Sequence, residues 1–576
     1  MRTIVFLLLA FPTMAQQQIQ LNQSGFYPKA PKIAVITGSV SAKEFHLLAR
    51  NGKDTVFSGP LGPEQHSANS STLTRIADFS AFTEKGEYVL QVPGVGTSYP
   101  FSISAEVLKP VAVASLKGFY FQRSDMPLEE KYAGKWHRPA GHPDNIVYVH
   151  ASAVSGRRPA GTVIASPGGW YDAGDYNKYI VNSGISMSSL FSAYEDFPGY
   201  YAALRTNIPE SGNAIPDILD EAVYNLRWML TMQDPNDGGV YHKCTNASFD
   251  GMVMPGVTKL PRYVVRKGTA AALDFAAVTA QAARILQPFN QPLADSCLKA
   301  ARMAWQWAEK NPALMYDQNV MNKQFQPAIT TGAYGDNDVK DEWSWAAAEM
   351  FVTTKDKKYY DIFHQHLQDS VYLPTWRNVA MQGYYTILRA SGQLPEVVRQ
   401  DLPVIKERVL RIAGEYIRRQ PQNAFQTVMG QSRRDFSWGG SSVAANQGIL
   451  LLYAYQLTKD KIYLHAALSN LDYLLGRNAT GYSFLTGAGS KATMHPHHRP
   501  SIADGIEEPV PGLLSGGPNP GMQDSCRYEK TEPETAYSDT ACSYASNEIA
   551  INWNAPLVYL ANALEALKKE AGYVED

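Results

Sequence analysis

Long runs of like charge are missing from this sequence. Its 52 Lys and Arg residues nearly balance its 54 Asp and Glu residues, for a formal net charge of −2, and no long basic stretch occurs. A nucleic-acid partner is therefore not expected, and an uncharged partner fits better. Charged residues make up 18% and hydrophobic residues 45% of the chain, with 33 Tyr and 10 Trp. This composition is typical of a folded protein and excludes a disordered one.

Cysteine is also scarce, with four residues in a chain of 576. They fit an oxidising compartment and allow three alternative pairings. Cys526 and Cys542 bracket a loop rich in Asp, Glu and Thr, so a disulfide between them is the preferred pairing. The other two cysteines are Cys244 and Cys297.

The first sixteen residues, MRTIVFLLLAFPTMAQ, combine Arg2, an apolar stretch over residues 4–11 and the small Ala15. This pattern predicts a signal peptide over residues 1–15 and a secreted or periplasmic mature protein without a membrane anchor. The apolar stretch is too short to span a bilayer, and no cysteine follows the cleavage site to carry a lipid. A buried amino-terminal strand is the alternative.

The chain is longer than one hydrophobic core usually serves, so two domains are expected. From about residue 20 to residue 104 the pattern is strand-like. KIAVIT, EFHLLA, EYVLQV and YPFSIS are short β-rich runs separated by Gly, Pro, Asn and Ser. They predict a small sandwich of roughly seven strands over residues 16–104.

Residues 105–576 have a helical pattern instead. Roughly a dozen apolar segments at helical spacing include residues 183–195, 216–232, 268–286, 295–310, 341–354, 358–367, 378–390, 402–418, 442–457, 462–475 and 547–569. Many are apolar on more than one side, which favours an inner and an outer ring of helices, an (α/α)6 toroid. Its site would lie in the loops at one end. Long irregular stretches at residues 131–169, 231–265 and 480–546 are candidates for those loops.

Residues 168–180, GGWYDAGDYNKYI, place two carboxylates, Asp172 and Asp175, beside Gly, Trp and Tyr. Hydrolysis of a sugar needs an ionised carboxylate to activate water, and aromatic rings stack on the apolar face of a pyranose. A capped turn is the structural alternative, since Asp and Gly are common in turns and at helix N-termini.

The segment HPHHRPS contains His495, His497, His498 and Arg499. A zinc site would need three or four convergent neutral ligands, and Arg499 would repel the cation. The better interpretation is a rigid cluster of donors that holds sugar hydroxyls or orients a carboxylate. A structural clasp of the loop remains open.

Residues 537–558, YSDTACSYASNEIAINWNAPLV, contain Asp539 and Glu548. Glu548 lies where an apolar helix is expected to begin, and the helix dipole would stabilise its ionised form. Burial or a neighbouring carboxylate, for which Asp539 is the obvious candidate, must outweigh that effect if Glu548 is to donate a proton. Capping of the helix by Glu548 is the alternative. Pro556 leaves open whether it kinks one long helix or opens a shorter one capped by Asn554.

Taken together, these segments resemble glycoside hydrolase family 9, the inverting cellulase family, in its subgroup with an amino-terminal immunoglobulin-like domain. LNQSGFYPKAPKIAVI (residues 21–36) is similar to the opening of that domain, and GGWYDAGDYNKYI to the family's DAGD segment. Two further sets resemble the family's His signature and its Asp/Glu signature: Ser483, Leu485, Thr486, Gly489, Lys491, Pro496, His497 and Arg499, and then Tyr537, Asp539, Tyr544, Glu548, Ala550, Asn554 and Ala555. The resemblance implies an immunoglobulin-like β-sandwich followed by an (α/α)6 catalytic domain over residues 105–576.

The resemblance also implies roles for the carboxyl groups. Asp175 would be the general base, Asp172 would help hold the attacking water, and Glu548 would be the general acid. Asp539 would tune or position Glu548. An inverting enzyme leaves room for a water between base and sugar, so the carboxyl groups of Asp175 and Glu548 are expected about 6.5 to 9.5 Å apart.

Residues expected to contact the sugar come from the same segments and from aromatic loops. The resemblance implies that His497 and Arg499 line subsites on the glycone side or the first aglycone side. Further candidates for binding or stacking are His498, Tyr171, Trp343, Trp438, Tyr334 and Tyr544. Core packing is the alternative for each aromatic residue, and it is the expected role of Trp228, Trp305 and Trp307.

Residues 331–343, TGAYGDNDVKDEW, place Asp336, Asp338, Asp341 and Glu342 among glycines, which suits a hard cation. Family members often bind calcium, so the resemblance makes a structural calcium ion held by Asp336, Asp338 and Asp341 a prediction. The segment departs from an EF-hand loop, and a solvated turn with Asp341 as helix cap is the alternative. No cofactor is expected for the chemistry.

The predicted activity is hydrolysis of β-1,4-glucosidic bonds with inversion by a secreted or periplasmic endo-β-1,4-glucanase, a cellulase. Its expected partner is a β-glucan polysaccharide or oligosaccharide, with no nucleic acid and no membrane, and a monomer is expected. An exo-acting β-glucosidase or β-glucosaminidase and a non-catalytic glycan-binding protein are the alternatives. No cellulose-binding module or Ser- or Pro-rich linker is visible, which favours soluble or amorphous chains. The immunoglobulin-like domain is expected to brace the toroid.

Overall fold

A computed structural model of the chain describes residues 18–367 and 369–575, except for the side chain of Val397. The predicted signal peptide at residues 1–15 lies outside the described residues. Within those ranges, no helix has both the length and the apolar composition needed to cross a membrane.

The amino-terminal domain is a β-sandwich, as predicted. Its described strands form two sheets in the orders β1-β2-β6-β5 and β4-β3-β7-β8, with β9 added to β7. The strands are β1 Ile19–Gln20, β2 Ile33–Thr37, β3 Glu44–Ala49, β4 Thr55–Pro60, β5 Gln65–His66, β6 Leu73–Asp78, β7 Gly86–Val92, β8 Gly96–Thr97 and β9 Phe101–Ile103. Alternate residues of β7, namely Tyr88, Leu90 and Val92, are buried in the core of the sandwich. This is the period of two expected of a half-buried strand.

Twelve long helices lie within the described part of the second domain and confirm that it is helical. They are α1 Lys109–Phe121, α2 Ile180–Asp196, α3 Asp217–Thr231, α4 Thr269–Leu286, α5 Gln291–Lys310, α6 Lys340–Thr354, α7 Lys357–Gln365, α8 Ala380–Ala390, α9 Leu402–Arg419, α10 Gly440–Thr458, α11 Lys461–Leu474 and α12 Ile551–Leu567. Each except α1 overlaps a segment expected to be helical. Sequence patterns miss α1 because its valines and adjacent aromatic residues give it a strand-like composition.

The helices form two concentric rings. The even-numbered helices pack against one another, and the odd-numbered helices pack on their outer side. Burial shows the same arrangement, since every residue of α2 from Ile180 to Ala193 is buried. Tyr385 of α8 stacks on Tyr453 of α10 with ring centroids 4.0 Å apart, which brings these two inner helices together. Three tryptophans lie in the core as expected: Trp228, Trp305 and Trp307.

Two of the stretches expected to be irregular contribute to a small sheet instead. Its strands, in the spatial order β11-β10-β14-β13-β12, are β10 Val147–Val149, β11 Val163–Ile164, β12 Lys178–Tyr179, β13 Lys243–Asn246 and β14 Arg262–Val264. Strand β12 follows the DAGD segment directly and leads into α2. It pairs with β13 so that Tyr179 lies opposite Lys243. The sheet therefore fixes the chain on the carboxyl-terminal side of the two aspartates.

The preferred disulfide is confirmed, because Cys526 is bonded to Cys542. Cys244 and Cys297 are buried thiols. The bridge closes part of the long loop before α12. In the same loop the hydroxyl of Tyr544 donates to the carbonyl of Gln523 (2.8 Å), so the loop is held both covalently and by hydrogen bonds.

The β-sandwich supports the loop that leads to the His segment. The side-chain amide of Gln23 donates to the carbonyl of Gly481 (2.8 Å), and its oxygen accepts from the backbone N–H of Lys491 (2.7 Å). Beside it, Asn22 donates to Asp472 (2.8 Å) in a buried contact. These bonds give the expected bracing role a physical basis, since they order a loop of the helical domain.

Replacing Gln23 by Ala is expected to lower the free energy of unfolding by about 1 to 3 kcal/mol, because two buried backbone groups lose their partner. Calorimetry of the purified variant should show a lower Tm. Gln65→Ala is the matched control, since Gln65 donates to the carbonyl of Gln422 (2.6 Å) at an exposed edge of the same interface.

The control variant is expected to change stability by less than about 0.5 kcal/mol. Deleting residues 16–104 should destabilise the helical domain more than either substitution. Unchanged melting of the deletion protein would contradict the bracing role.

Candidate active site

A cavity of about 770 Å3 lies where several inner helices begin. Its wall draws on the segments that precede these helices. They contribute Asp172 and Asp175 before α2, Tyr334 before α6, Trp376 before α8, Trp438 before α10 and Glu548 before α12. The cavity therefore brings together Asp172, Asp175 and Glu548, the three carboxyl groups expected to take part in the chemistry.

Backbone contacts join the three signature segments. Ala173 forms an antiparallel bridge with Ala550, and His497 forms a parallel bridge with Glu548. The N–H of Ile551 donates to the carbonyl of Asp172 (2.8 Å). The DAGD segment, the Glu548 segment and the His segment consequently lie side by side, although they are far apart in the chain.

Gly174 makes the contact between the DAGD and His segments possible. A Cβ atom at this position would lie 2.0 Å from the carbonyl oxygen of His497, so a side chain cannot fit. Arg499 donates to the Gly174 carbonyl through its backbone N–H (3.1 Å) and through its guanidinium (2.8 Å). The glycine of DAGD is thus required by packing against the His segment.

Asp172 is almost fully buried, with 1% of its surface exposed. One carboxylate oxygen accepts from the Tyr334 hydroxyl (2.9 Å) and the other from the Asn182 amide (2.9 Å). Burial and the nearby charge of Asp175 raise the pKa of Asp172. Tyr334 itself adopts a left-handed backbone conformation (φ 49°), a strain that is typically retained at functional sites.

Asp175 keeps one carboxylate oxygen available to the cavity. The hydrogen bonds that it receives from the described residues all go to Oδ2, from the backbone N–H of Asn177 (3.3 Å), from the Asn177 amide and from the Tyr179 hydroxyl (3.4 Å). Asp175 lines the cavity, so Oδ1 is left for a water molecule. A carboxylate held in this way can take a proton from that water.

Glu548 lies between two helices, which corrects the expectation that it begins one. It follows the short helix Tyr544–Asn547, and α12 begins at Ile551. Pro556 lies inside α12, and the Asn554 side chain bonds to other segments instead of capping a helix. The helix-dipole argument against a proton on Glu548 therefore loses its basis.

Burial, followed by the charges of Asp175 and Asp172, raises the pKa of Glu548 well above its usual range. The charge of Arg499 and a hydrogen bond from Trp438 act in the opposite direction. The net effect is upward, and a carboxyl group with a raised pKa keeps its proton near neutral pH. Glu548 thus has the protonation state that a general acid needs.

Asp539 is not among the main causes of the raised pKa of Glu548, so of its two expected roles, tuning or positioning Glu548, its contacts support the second. Its carboxylate accepts from the backbone N–H groups of Met494 (2.9 Å) and His495 (2.9 Å), and from the Asn547 amide (3.1 Å). Because Asn547 directly precedes Glu548, Asp539 positions the acid segment against the His segment.

His497 and Arg499 both line the cavity. The Nδ1 atom of His497 lies 2.7 Å from the carbonyl oxygen of Ala541, and burial lowers the pKa of His497. A neutral ring that donates from Nδ1 leaves Nε2 as an acceptor for a sugar hydroxyl. The guanidinium of Arg499 also donates to the Asp250 carbonyl (3.0 Å), which fixes its orientation.

Aromatic rings form much of the remaining wall. Trp438 and Tyr544, two of the candidates for stacking on sugar, line the cavity with ring centroids 5.3 Å apart, and Trp438 is 43% exposed. Tyr334 lines the cavity as well. Sequence patterns did not single out four other aromatic residues of the wall: Tyr179, Phe249, Trp376 and Trp553.

Three predicted substrate contacts are corrected, because these side chains pack behind the wall. His498 is 1% exposed, and both of its ring nitrogens are hydrogen-bonded within the protein. Tyr171 is 1% exposed, and its hydroxyl contacts His142 (2.9 Å). Trp343 packs edge-on against the core residue Trp305 with centroids 4.9 Å apart. None of the three lines the cavity.

The predicted calcium ligands do not converge as a set. Asp338 is exposed, and its carboxylate pairs with Lys340 (3.8 Å), while its backbone N–H donates to the Asp336 carboxylate (3.1 Å). The Asp341 carboxylate accepts from the backbone N–H of Val379 (2.7 Å). Over residues 18–367 and 369–575, no group of three or more His, Cys, Asp or Glu side chains is arranged to hold a metal ion.

Buried carboxyl oxygens without partners nevertheless lie beside this segment. Both oxygens of Asp274 lack a hydrogen bond from the described residues, as does one oxygen each of Asp336 and Glu342. Burial, together with the charges of Asp341 and Asp336, raises the pKa of Asp274. Oxygen donors of this kind suit calcium, so the donor chemistry fits a cation although the side chains are not placed around one.

Comparison with known protein families and structures agrees with this geometry. A family model described as glycosyl hydrolase family 9 matches residues 109–561, and one described as cellulase N-terminal ig-like domain matches residues 14–97. The chain is 47% identical over 553 residues to a xyloglucan-specific endo-beta-1,4-glucanase of Bacteroides ovatus, covering 95% of this chain and 94% of that protein.

Other relatives extend the match. Endoglucanase D of Acetivibrio thermocellus is 34% identical over 549 residues, covering 94% of this chain and 82% of that protein. A solved structure named Bacteroides ovatus GH9 superposes with a TM-score of 0.91 at 46% identity and covers 96% of this chain and 99% of that one. Matches of this identity and extent show that the chain belongs to glycosyl hydrolase family 9 and is a glycoside hydrolase acting on β-1,4-glucans.

Proposed function

We propose that the protein is an exported endo-β-1,4-glucanase that cleaves its substrate with inversion and has xyloglucan as its preferred polymer. The proposal rests on one observation: a carboxyl group suited to accept a proton and a carboxyl group suited to donate one line the same cavity. Asp175 offers an oxygen that accepts no hydrogen bond from the described residues, and Glu548 has a pKa raised well above its usual range. A base and an acid in one cavity are what single-step hydrolysis of a glycoside needs.

The chemistry follows from these two states. Glu548 donates its proton to the glycosidic oxygen as the bond from that oxygen to the anomeric carbon breaks. A water held by Asp172 and Asp175 attacks the anomeric carbon from the opposite face and gives a proton to Asp175. The new C1 hydroxyl has the α configuration, and exchange with solvent returns the proton to Glu548. The separation of about 6.5 to 9.5 Å between Asp175 and Glu548 stays a prediction of this mechanism.

Endo action is supported by the exposure of the cavity wall. Trp438 and Phe249 both line the cavity, and they are 43% and 46% exposed. Large aromatic rings that face both cavity and solvent can support sugar units beyond the cleavage point. Xyloglucan as the polymer is supported by the relative from Bacteroides ovatus, whose name gives that specificity, at 47% identity. Export rests on the pattern of residues 1–15.

Asp175→Ala and Glu548→Gln are each expected to lower kcat by about 10²- to 10⁴-fold, because each removes one proton transfer from the transition state. Affinity for cellohexaose, measured by isothermal titration calorimetry, should change little. Asp338→Asn is the matched control, since this acid is exposed and lies outside the cavity.

The pH dependence gives a second measurement for the same pair. Glu548 acts while protonated, so kcat of the parent enzyme should fall as pH rises through the raised pKa of Glu548. The residual activity of Glu548→Gln should lack this alkaline limb. Nearly full turnover in either the Asp175 or the Glu548 variant would show that the roles are wrongly assigned.

Product analysis tests inversion and endo action together. With xyloglucan, carboxymethyl cellulose and cellohexaose, we expect a rapid fall in viscosity and an initial α-anomer by NMR, because water attacks opposite the leaving group. The highest rate is expected on xyloglucan. An initial β-anomer would contradict inversion. Slow loss of viscosity with early release of glucose, or cleavage of chitobiose, would favour the exo-acting alternatives.

A structural calcium ion near the segment 331–343 is the remaining proposal. Asp274, Asp336, Asp341 and Glu342 would hold it, with small movements of their side chains, and the unpartnered oxygens of three of them support this. The ion would offset the mutual repulsion of these buried acids and would take no part in the reaction.

Adding calcium to protein dialysed against EDTA is expected to raise its Tm, because an ion that binds the folded state stabilises it. Asp274→Asn should largely remove this rise, whereas Asp338→Asn should keep it, since Asp338 is exposed. Scanning calorimetry with and without calcium measures both effects. A Tm that does not depend on calcium would refute the site.

A further inference from the structure

Lys243 is a buried lysine that lies behind the cavity. Its side chain is fully buried and forms no ion pair with the described residues. Its ammonium donates to neutral acceptors: the Gln318 amide oxygen (2.7 Å), the Thr331 hydroxyl (3.0 Å) and the Gly332 carbonyl (2.6 Å). A buried charge is costly unless it is compensated, so its retention requires a compensating charge nearby.

Two contacts lead from Lys243 to Asp175. Lys243 lies opposite Tyr179 in the β12–β13 pair, with its ammonium 5.4 Å from the centre of the Tyr179 ring. The hydroxyl of Tyr179 reaches Asp175 (3.4 Å). The second contact runs from Thr331 through the Thr245 hydroxyl (2.7 Å) to Asn177 (2.9 Å), whose amide binds Asp175.

A third contact leads to Asp172. Lys243 anchors the carbonyl of Gly332, two residues before Tyr334. Tyr334 is the residue in left-handed conformation whose hydroxyl donates to Asp172 (2.9 Å). Lys243 consequently supports the hydrogen-bond donors of both carboxylates, although it does not line the cavity.

The charges of the neighbouring groups also link Lys243 to Asp172 and Asp175. Burial lowers the pKa of Lys243 to about 7, and the charges of Asp175 and Asp172 act against that lowering. Lys243 is therefore a cation in mildly acidic solution. Its neighbour His242, which directly precedes β13, is neutral, because burial lowers its pKa to about 3.

Other ionisable groups around Asp172 and Asp175 do not replace this charge. The cavity wall holds Glu548, His497, Arg499, Tyr179 and Tyr334. Of these only Arg499 is a cation, and its guanidinium is used by the carbonyls of Gly174 and Asp250. Two more distant cations behind the DAGD segment, Lys178 and Arg262, are paired with Asp144 (2.8 Å and 2.9 Å).

We propose that Lys243 is a positioning residue whose ammonium stabilises the ionised state of the Asp172–Asp175 pair and holds the hydrogen-bond donors around it. The inference rests on the proposed function, in which that pair holds and deprotonates the attacking water. Lys243 acts through the pair and does not touch the substrate.

Lys243→Met tests the charge directly. Removing a cation favours the protonated carboxyl, so the acidic limb of the kcat/KM profile should move to higher pH by about one unit. At the parent's acidic limb the rate should fall by about tenfold, while KM for cellohexaose stays within about twofold. Profiles on cellohexaose from pH 3 to pH 9 give both quantities.

Lys32→Met is the matched control. Lys32 is equally buried, it donates to the carbonyls of Pro28 (2.6 Å) and Ala30 (3.0 Å), and burial lowers its pKa to about 8. Lys32 lies in the amino-terminal β-sandwich, whereas the residues that line the cavity all belong to the helical domain. We expect a loss of Tm in this variant with no movement of the acidic limb.

Lys243→Gln serves as the second variant if Lys243→Met does not fold, because glutamine keeps a donor and removes the charge. It carries the same expected shift. An acidic limb at the parent's pH in the variant that folds, or an equal shift in Lys32→Met, would overturn the inference. Retained turnover in Asp175→Ala would instead overturn the proposed function, so the two failures are distinguishable.

Discussion

Repulsion among buried carboxyl groups is the constraint on which the catalytic domain depends. Asp172, Asp175 and Glu548 share one cavity, and each raises the energy of a second negative charge nearby. The structure relieves this repulsion unequally. Asp172 and Asp175 receive hydrogen bonds from Tyr334, Asn182, Asn177 and Tyr179. Glu548 receives a hydrogen bond from Trp438, yet its pKa stays well above its usual range. Under the proposed mechanism, this asymmetry separates a base from an acid among carboxyl groups that share one cavity.

Holding repelling groups together requires rigid surroundings. The DAGD, His and Glu548 segments are long loops, yet bridges at Ala173–Ala550 and His497–Glu548 pair them like strands. Asp539 and the disulfide Cys526–Cys542 fix the loop before the acid. On the far side, Gln23 of the β-sandwich orders the loop before the His segment. The amino-terminal β-sandwich thus supports the site without lining the cavity.

The parts of the structure that follow from local pattern are predictable from sequence. Helical spacing indicated eleven of the twelve long helices, and short β-rich runs indicated the main strands of the sandwich. The motif carboxylates also lie together in the cavity. What the sequence could not show is which side of a loop faces the cavity. His498 and Tyr171 belong to the same motifs as His497 and Asp172, yet they point into the protein.

Sequence patterns also could not predict which residues far apart in the chain contact one another. Lys243, Trp376 and Phe249 belong to no motif, and their importance arises only when β12 pairs with β13 and the loops close around the cavity. The start of α12 was misplaced because Glu548 and Ala550 are good helix formers and continue the pattern of the following helix. A β-bridge to the His segment holds Glu548 extended instead, so tertiary pairing overrides local propensity there.

Gly174 has a consequence for how a polysaccharide enters. The base loop and the His loop touch backbone to backbone at this glycine, with no gap that a sugar ring could widen. These two loops therefore behave as a single fixed wall, and loading cannot proceed by parting them. The part of the cavity wall that is open to solvent lies instead at the rings of Trp438 and Phe249, which are 43% and 46% exposed.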